Sequence, residues 1–94
     1  MEQVARDVMA TAAEVKEGED TPMGLALLNE ARILLLADLP LSVGWATLHH
    51  EAFHFILAEA GLPYHGARAE RLCDAYAAAR VFEMQYAPRL RRKA

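Results

Sequence analysis

Residues 2–17 carry apolar side chains at every third or fourth position, with charged residues between them. This spacing predicts an amphipathic helix, because positions three and four apart lie on one helical face. Gly18 is the expected end of that helix, since glycine takes up a left-handed conformation without strain. The polar residues 18–22 then predict a break in regular structure.

Two short apolar runs, 25–28 and 33–37, flank the polar segment 29–32. The pattern predicts a β-hairpin whose strands are joined by a short loop. Leucine dominates both runs, and leucine favours helices over strands. A single helix over residues 25–37 is therefore the alternative.

The second half of the chain predicts two further helices. Residues 43–60 carry few charges, so this helix is expected to be the most buried one. Ser42 can accept a hydrogen bond from the first turn, and Gly61 marks the end. After a loop with two glycines and one proline, a third helix is expected over residues 67–86.

Length and composition are consistent with one α+β domain over residues 1–94, with three helices and a short β-hairpin. The 94 residues suffice for one domain, and a hydrophobic fraction of 54% allows a packed core. The tail at 88–94 is basic and is expected to fray. The net charge of −3 argues against a nucleic-acid partner, whose binding requires many neutralised phosphates.

The number of cysteines and the lengths of the apolar runs indicate where in the cell the protein is expected. Cys73 is the single cysteine, so no intramolecular disulfide can form and a reducing, cytoplasmic location is expected. No apolar run reaches the roughly 20 residues that a membrane-spanning helix needs. No membrane association is therefore expected, and the oligomeric state is left open.

The motif His50-Glu51-Ala52-Phe53-His54 lies in the second predicted helix and carries the chemistry. Residues four apart on a helix project from the same face, so His50 and His54 can offer two imidazole nitrogens to one ion. Zinc favours such ligands, and a catalytic zinc takes three protein ligands and a water. Glu51 is rotated by about 100° and can accept a proton from that water as general base.

A third metal ligand has to come from another element. Glu70 is the preferred candidate, because it follows His54 after a loop long enough to reverse the chain. Asp74 lies one turn further along the same face, where it can accept the other ring N–H of a histidine ligand. Two alternatives stay open: Asp74 is the ligand and Glu70 lies outside the site, or both carboxylates are solvated helix charges.

Other polar and aromatic residues near the motif have weaker signals. Tyr64 and His65, in the loop between the two metal-bearing helices, are candidates for contacts to substrate or to a developing oxyanion. Cys73 is interpreted as a core residue, because a buried cysteine usually behaves as a small hydrophobe. Trp45 is also expected in the core, and His49 is expected to be structural or on the surface.

Three stretches together resemble the ImmA/IrrE-type metallo-endopeptidases and the small phage-borne zincins related to them. The stretches are 32–36, 47–54 and 70–77, of which the last is similar to the ExxxD arrangement of gluzincins. The resemblance implies a minimal zincin-like metallopeptidase core, in which a strand precedes the motif helix and a later helix supplies a glutamate. It also implies Zn²⁺ bound by His50, His54 and Glu70, with Glu51 as the base. Phe53 stands where the family often has a glycine.

The sequence therefore predicts a zinc-dependent metallopeptidase that hydrolyses peptide bonds in a peptide or protein substrate. A non-catalytic zinc-binding interaction domain is the alternative, because a small fold gains stability from a bound metal. A helical adaptor without metal is a third hypothesis, and it requires the motif to be accidental.

Overall fold

The computed structural model describes the backbone of residues 1–93 and the side chains of residues 1–87. Three helices and a three-stranded mixed sheet confirm the α+β class. In chain order the elements are β1 (Glu2–Val4), α1 (Arg6–Ala12), β2 (Gly24–Leu27), a 3-10 turn (Leu28–Glu30), β3 (Arg32–Leu36), α2 (Leu41–Glu59) and α3 (Ala67–Lys93). The third helix thus continues beyond the predicted end at residue 86. The predicted fraying of the tail concerns residues 88–94, whose side chains are not among those described.

The hairpin prediction is confirmed, and the alternative of one helix is wrong. β2 pairs antiparallel with β3, with Leu25 opposite Leu34, and the chain turns through a left-handed residue, Ala31. β3 is the central strand of the order β1-β3-β2. A strand covered on both faces needs apolar side chains at successive positions, which explains the unbroken leucine run.

The prediction of a helix over residues 2–17 is wrong at both ends. β1 pairs in parallel with β3, and the helix begins only at Arg6. Residues 2–4 supply partners for the main-chain groups of the buried β3, which would otherwise be unpaired, and this requirement outweighs the local helical periodicity. The helix ends at Ala12, since the left-handed Glu14 turns the chain four residues before Gly18.

Two separate clusters of buried side chains form the core. The first lies between the sheet and α1 and consists of Met9, Leu34 and Leu36. The second lies between α2 and α3 and consists of Leu57, Ala69 and Cys73, with Phe53 packed against it. Side chains alternate between the two faces of a strand, so β3 directs Leu35 towards α2, away from the first cluster.

The start of α2 differs from the prediction, whereas its end matches it. The predicted cap at Ser42 is wrong, because α2 begins at Leu41 after Pro40, without a side-chain cap. The fixed φ of proline suits the start of a helix, and the Pro40 carbonyl accepts a hydrogen bond from the Gly44 N–H at 2.8 Å. The predicted stop is confirmed, because Gly61 is left-handed at φ +74°. The Leu62 N–H returns to the Leu57 carbonyl at 2.9 Å, as in a Schellman motif.

Gly24 lies where β2 packs closely against α2. A Cβ atom on Gly24 would lie 2.5 Å from Thr47 Cγ2, 3.1 Å from Glu51 Cγ and 3.2 Å from Leu35 Cδ2. Any larger residue would therefore push β2 away from α2. The close packing positions the backbone of β2 beside Glu51.

We expect Gly24→Ala to lower the free energy of unfolding by about 1–3 kcal/mol, because the added methyl group overpacks the contact with Thr47. Denaturant titration followed by circular dichroism measures this change. Gly44→Ala is the matched control, since its Cβ would meet nothing closer than Leu39 Cβ at 3.9 Å. The control is expected to be neutral or to stabilise α2 by about 0.5–1 kcal/mol. Equal stability of Gly24→Ala and the wild type would contradict the close-packing argument.

Candidate metal centre

The predicted site residues meet where α2 packs against α3. The loop at residues 60–66 reverses the chain, with both Gly61 and Gly66 in the left-handed region. The two helices run in opposite directions, so His54 lies opposite Glu70, and His50 lies opposite both Glu70 and Asp74. The structure thereby brings together the residues that the sequence selected from two separate helices.

Each histidine has one ring nitrogen held by an oxygen acceptor. His54 Nδ1 donates to the backbone carbonyl of Tyr64 at 2.8 Å, and His50 Nδ1 donates to Asp74 Oδ1 at 2.7 Å. A carbonyl only accepts hydrogen bonds, so the proton of His54 lies on Nδ1. Asp74 offers the same kind of acceptor to His50 Nδ1, so with the proton on Nδ1 the Nε2 atom of each neutral ring would be available to an ion.

The two Nε2 atoms both face the carboxylate of Glu70. His50 Nε2 lies 2.9 Å from Glu70 Oε2, and His54 Nε2 lies 3.1 Å from Glu70 Oε1. Two imidazole nitrogens and the two oxygens of one carboxylate therefore lie close together. This donor set fits zinc, which is bound by histidine nitrogens and carboxylate oxygens.

The site is buried on the histidine side and open on the carboxylate side. The side chain of His54 is 9% exposed, whereas those of Glu70 and Asp74 are 54% and 73% exposed. Asp74 contacts His50 but not His54 among the hydrogen bonds of the described side chains. Glu70 therefore contacts both histidines, whereas Asp74 contacts His50 alone among the described side chains.

Glu51 is half-buried between the histidines and the edge of the sheet. Burial raises the pKa of its carboxyl, the neighbouring Glu70 adds to that effect, and His50, His54 and the backbone N–H of Ala26 oppose it. A raised pKa brings a carboxylate closer to the range in which it exchanges protons at neutral pH. Glu51 is thus a half-buried carboxyl group with a raised pKa beside both histidines.

Cys73 lies closer to the histidines than its interpretation as a core residue suggested. It is fully buried, which confirms the core interpretation, and burial raises the pKa of its thiol to about 11. Its Sγ atom, one nitrogen of His50 and one nitrogen of His54 all lie within 4.8 Å of one another. The sequence feature that indicates this proximity is the spacing of three residues between Glu70 and Cys73, which places both side chains on one side of a helix.

The loop residues Tyr64 and His65 reach the site in different ways. Tyr64 contributes its backbone carbonyl, while its ring is 37% exposed and lies 4.3 Å from the ring of His65 between centroids. His65 lines a cleft together with Glu51 and Glu70. Of the two candidates, His65 is the one that lines this cleft.

The other aromatic residues of α2 lie on the side away from the metal centre. Trp45 is 37% exposed, so its predicted core position is wrong; it packs its ring edge to face with His49 at 5.0 Å. His49 also contacts Tyr76, which confirms its structural role. Phe53 packs against Tyr76 with ring centroids 4.6 Å apart, so it serves the contact between the helices.

Two clefts meet at Gly24 and Glu51, which line both of them. One has a volume of about 550 Å³, within the range of small-molecule sites, and is mainly apolar. Its lining residues include Met23, Val43, Ala46 and Ala77. The other runs along Leu25 and Ala26 of β2 towards His65. The candidate metal centre is therefore flanked by open space along the edge of the sheet.

Comparisons with protein-family models, with curated proteins and with solved structures found no match for this chain. Within the described part of the chain, no helix combines the length and the apolar character required to cross a bilayer.

We expect Asp74→Asn to weaken zinc binding by about 10–100-fold, because the amide no longer fixes and polarises the His50 ring as a carboxylate does. Isothermal titration or competition with a chelator measures the dissociation constant. Asp38→Asn makes the same chemical change outside the metal centre and should leave the constant unchanged. Unaltered zinc affinity in Asp74→Asn would show that Asp74 does not support His50.

Proposed function

We propose that this protein is a zinc-dependent metallopeptidase that hydrolyses peptide bonds. The observation that carries the proposal is the convergence of His50 Nε2, His54 Nε2 and both oxygens of Glu70. Three donors held in this way leave a fourth tetrahedral position for water, which distinguishes a catalytic from a closed zinc site. Zinc bound there would lower the pKa of that water to about 7 and polarise a substrate carbonyl.

Glu51 has the position of the general base. It is adjacent to His50 in the chain but directed towards the junction of the two clefts, where a substrate carbonyl would lie. The Ala26 N–H contributes a hydrogen bond that orients its carboxylate against the edge of the sheet. Glu51 would accept the proton of the attacking water and pass it to the leaving amine.

The surroundings favour an extended peptide as substrate. β2 pairs with β3 on one side only, and its residues line both clefts. The Ala26 N–H of this edge already donates to Glu51, and the other main-chain groups of the edge could bind a peptide, with selectivity from the pockets beside it. The mainly apolar cleft would hold an apolar side chain, and His65 in the other cleft is the candidate donor to the developing oxyanion.

The resemblance to ImmA/IrrE-type enzymes and phage-borne zincins supports the same activity, since its implied ligands and base are the residues found together here. We place the protein in the cytoplasm, where its single thiol remains reduced.

A non-catalytic zinc-binding interaction domain is the second candidate. It is favoured by one observation, the buried Cys73 beside the two histidines, because a fourth protein donor would close the site. Both candidates share the metal centre and differ in whether Glu51 performs chemistry.

We expect Glu51→Gln to retain one zinc ion per chain and to lose peptide hydrolysis by about 10²–10⁴-fold in kcat, because glutamine cannot accept a proton. We expect His50→Ala to lose the bound zinc. Zinc content by elemental analysis and cleavage of a quenched fluorescent peptide library measure these effects in parallel.

Glu59→Gln, on the same helix and outside the centre, is the control and should match the wild type in both assays. Equal cleavage by Glu51→Gln and the wild type would rule out the assigned base. An unchanged zinc content in His50→Ala would rule out the metal centre itself.

A further inference from the structure

We propose that Cys73 is a fourth donor of the metal centre, so that its sulfur and a water molecule compete for one coordination position. The inference rests on the proposed metal centre. It has two consequences: the site prefers ions that bind sulfur, and it has an inactive state in which sulfur occupies the position of the catalytic water. It concerns the resting protein, in which no substrate holds the fourth position open.

The helical spacing of α3 places three polar side chains on one side of the helix, namely the donors Glu70 and Cys73 and the supporting residue Asp74. Glu70, Cys73 and Asp74 are related by three and four positions, so they project towards α2 from adjacent turns. Glu70 and Asp74 contact His50 directly. Cys73 lies between them in the chain and is the one of the three that is fully buried.

The distances allow coordination after a small movement. Sγ of Cys73 and one nitrogen of each histidine lie within 4.8 Å of one another. In a tetrahedral zinc site with a sulfur and a nitrogen ligand, these donors stand about 3.5 Å apart, as follows from bond lengths near 2.3 and 2.0 Å. Closing that difference requires a shift of about 1 Å, which a change of side-chain conformation can supply.

The burial of Cys73 adds a second argument. Its side chain faces the interior of the packing between α2 and α3, and it forms no disulfide. Sulfur there approaches the histidines from the protein side, while the Glu70 carboxylate approaches from the exposed side. The two α3 donors therefore do not compete for the same direction of approach.

Coordination by Cys73 balances chemically without an external oxidant. The S–H bond breaks, its proton goes to solvent, one metal–sulfur bond forms and one metal-bound water leaves. The site then holds two nitrogens, one oxygen and one sulfur, a set that suits Zn²⁺, Co²⁺ and Cd²⁺. Hydrolysis requires the reverse exchange, in which water replaces the sulfur.

Cobalt substitution tests the proposal with a readout that is independent of activity. Wild type, Cys73→Ala and Cys73→Ser are loaded with Co²⁺, and their absorption spectra are recorded. The wild type is expected to show visible bands of tetrahedral cobalt together with a near-ultraviolet thiolate-to-cobalt charge-transfer band. Both variants are expected to keep the visible bands and to lose the charge-transfer band.

The cadmium-to-zinc affinity ratio should also fall at least several-fold in the two variants, and their rate of peptide cleavage should rise. Ala77→Ser, one turn further along α3 and also buried, controls for a small polar change in the core. It should keep the charge-transfer band.

The possible outcomes separate this inference from the proposed function. Visible cobalt bands in the wild type without a charge-transfer band would overturn the role of Cys73 and leave the metal centre standing. Absence of cobalt binding in the wild type would overturn both.

Discussion

The antiparallel packing of α2 on α3 is the constraint on which the candidate site depends. Two left-handed glycines bound the reversal, and the loop between them takes part in the site through the Tyr64 carbonyl that fixes His54. All the donors lie within residues 50–74, so their positions follow from one helical pair. The loop backbone therefore acts both as a connection and as the group that sets the tautomer of a histidine.

The sheet contributes to the candidate site because it packs closely against α2. The missing side chain at Gly24 lets β2 approach Thr47 and Glu51 closely, and this approach positions the outer edge of the sheet beside the candidate metal centre. A chain of this size has few elements with which to build the walls of a cleft. Here one glycine allows a strand of four residues to serve as a wall.

The sequence predicts those parts of the molecule that depend on residues close together in the chain. His50 and His54 share a face by helical spacing alone, and Glu70 was identified because the loop before it reverses the chain. The strand at residues 2–4 could not be predicted, since its partners lie 32 positions further along the chain, as Leu34 does from Glu2, and its own pattern is helical. Cys73 was assigned correctly to the interior, but burial alone does not specify which groups surround a thiol. Such neighbours depend on the angle and register at which the helices pack.

The two buried clusters have a consequence for how the protein opens. One cluster joins α1 to the sheet, and the other joins α2 to α3, with the contact at Gly24 linking the sheet to α2. An ion held by α2 and α3 would add its binding free energy to the second cluster alone. The free energy of local unfolding would then differ between the two parts of the molecule. The pair of α2 and α3 would require more free energy to open than α1 and β1. The chemistry would thus be located in the half of the molecule that the ion itself holds together.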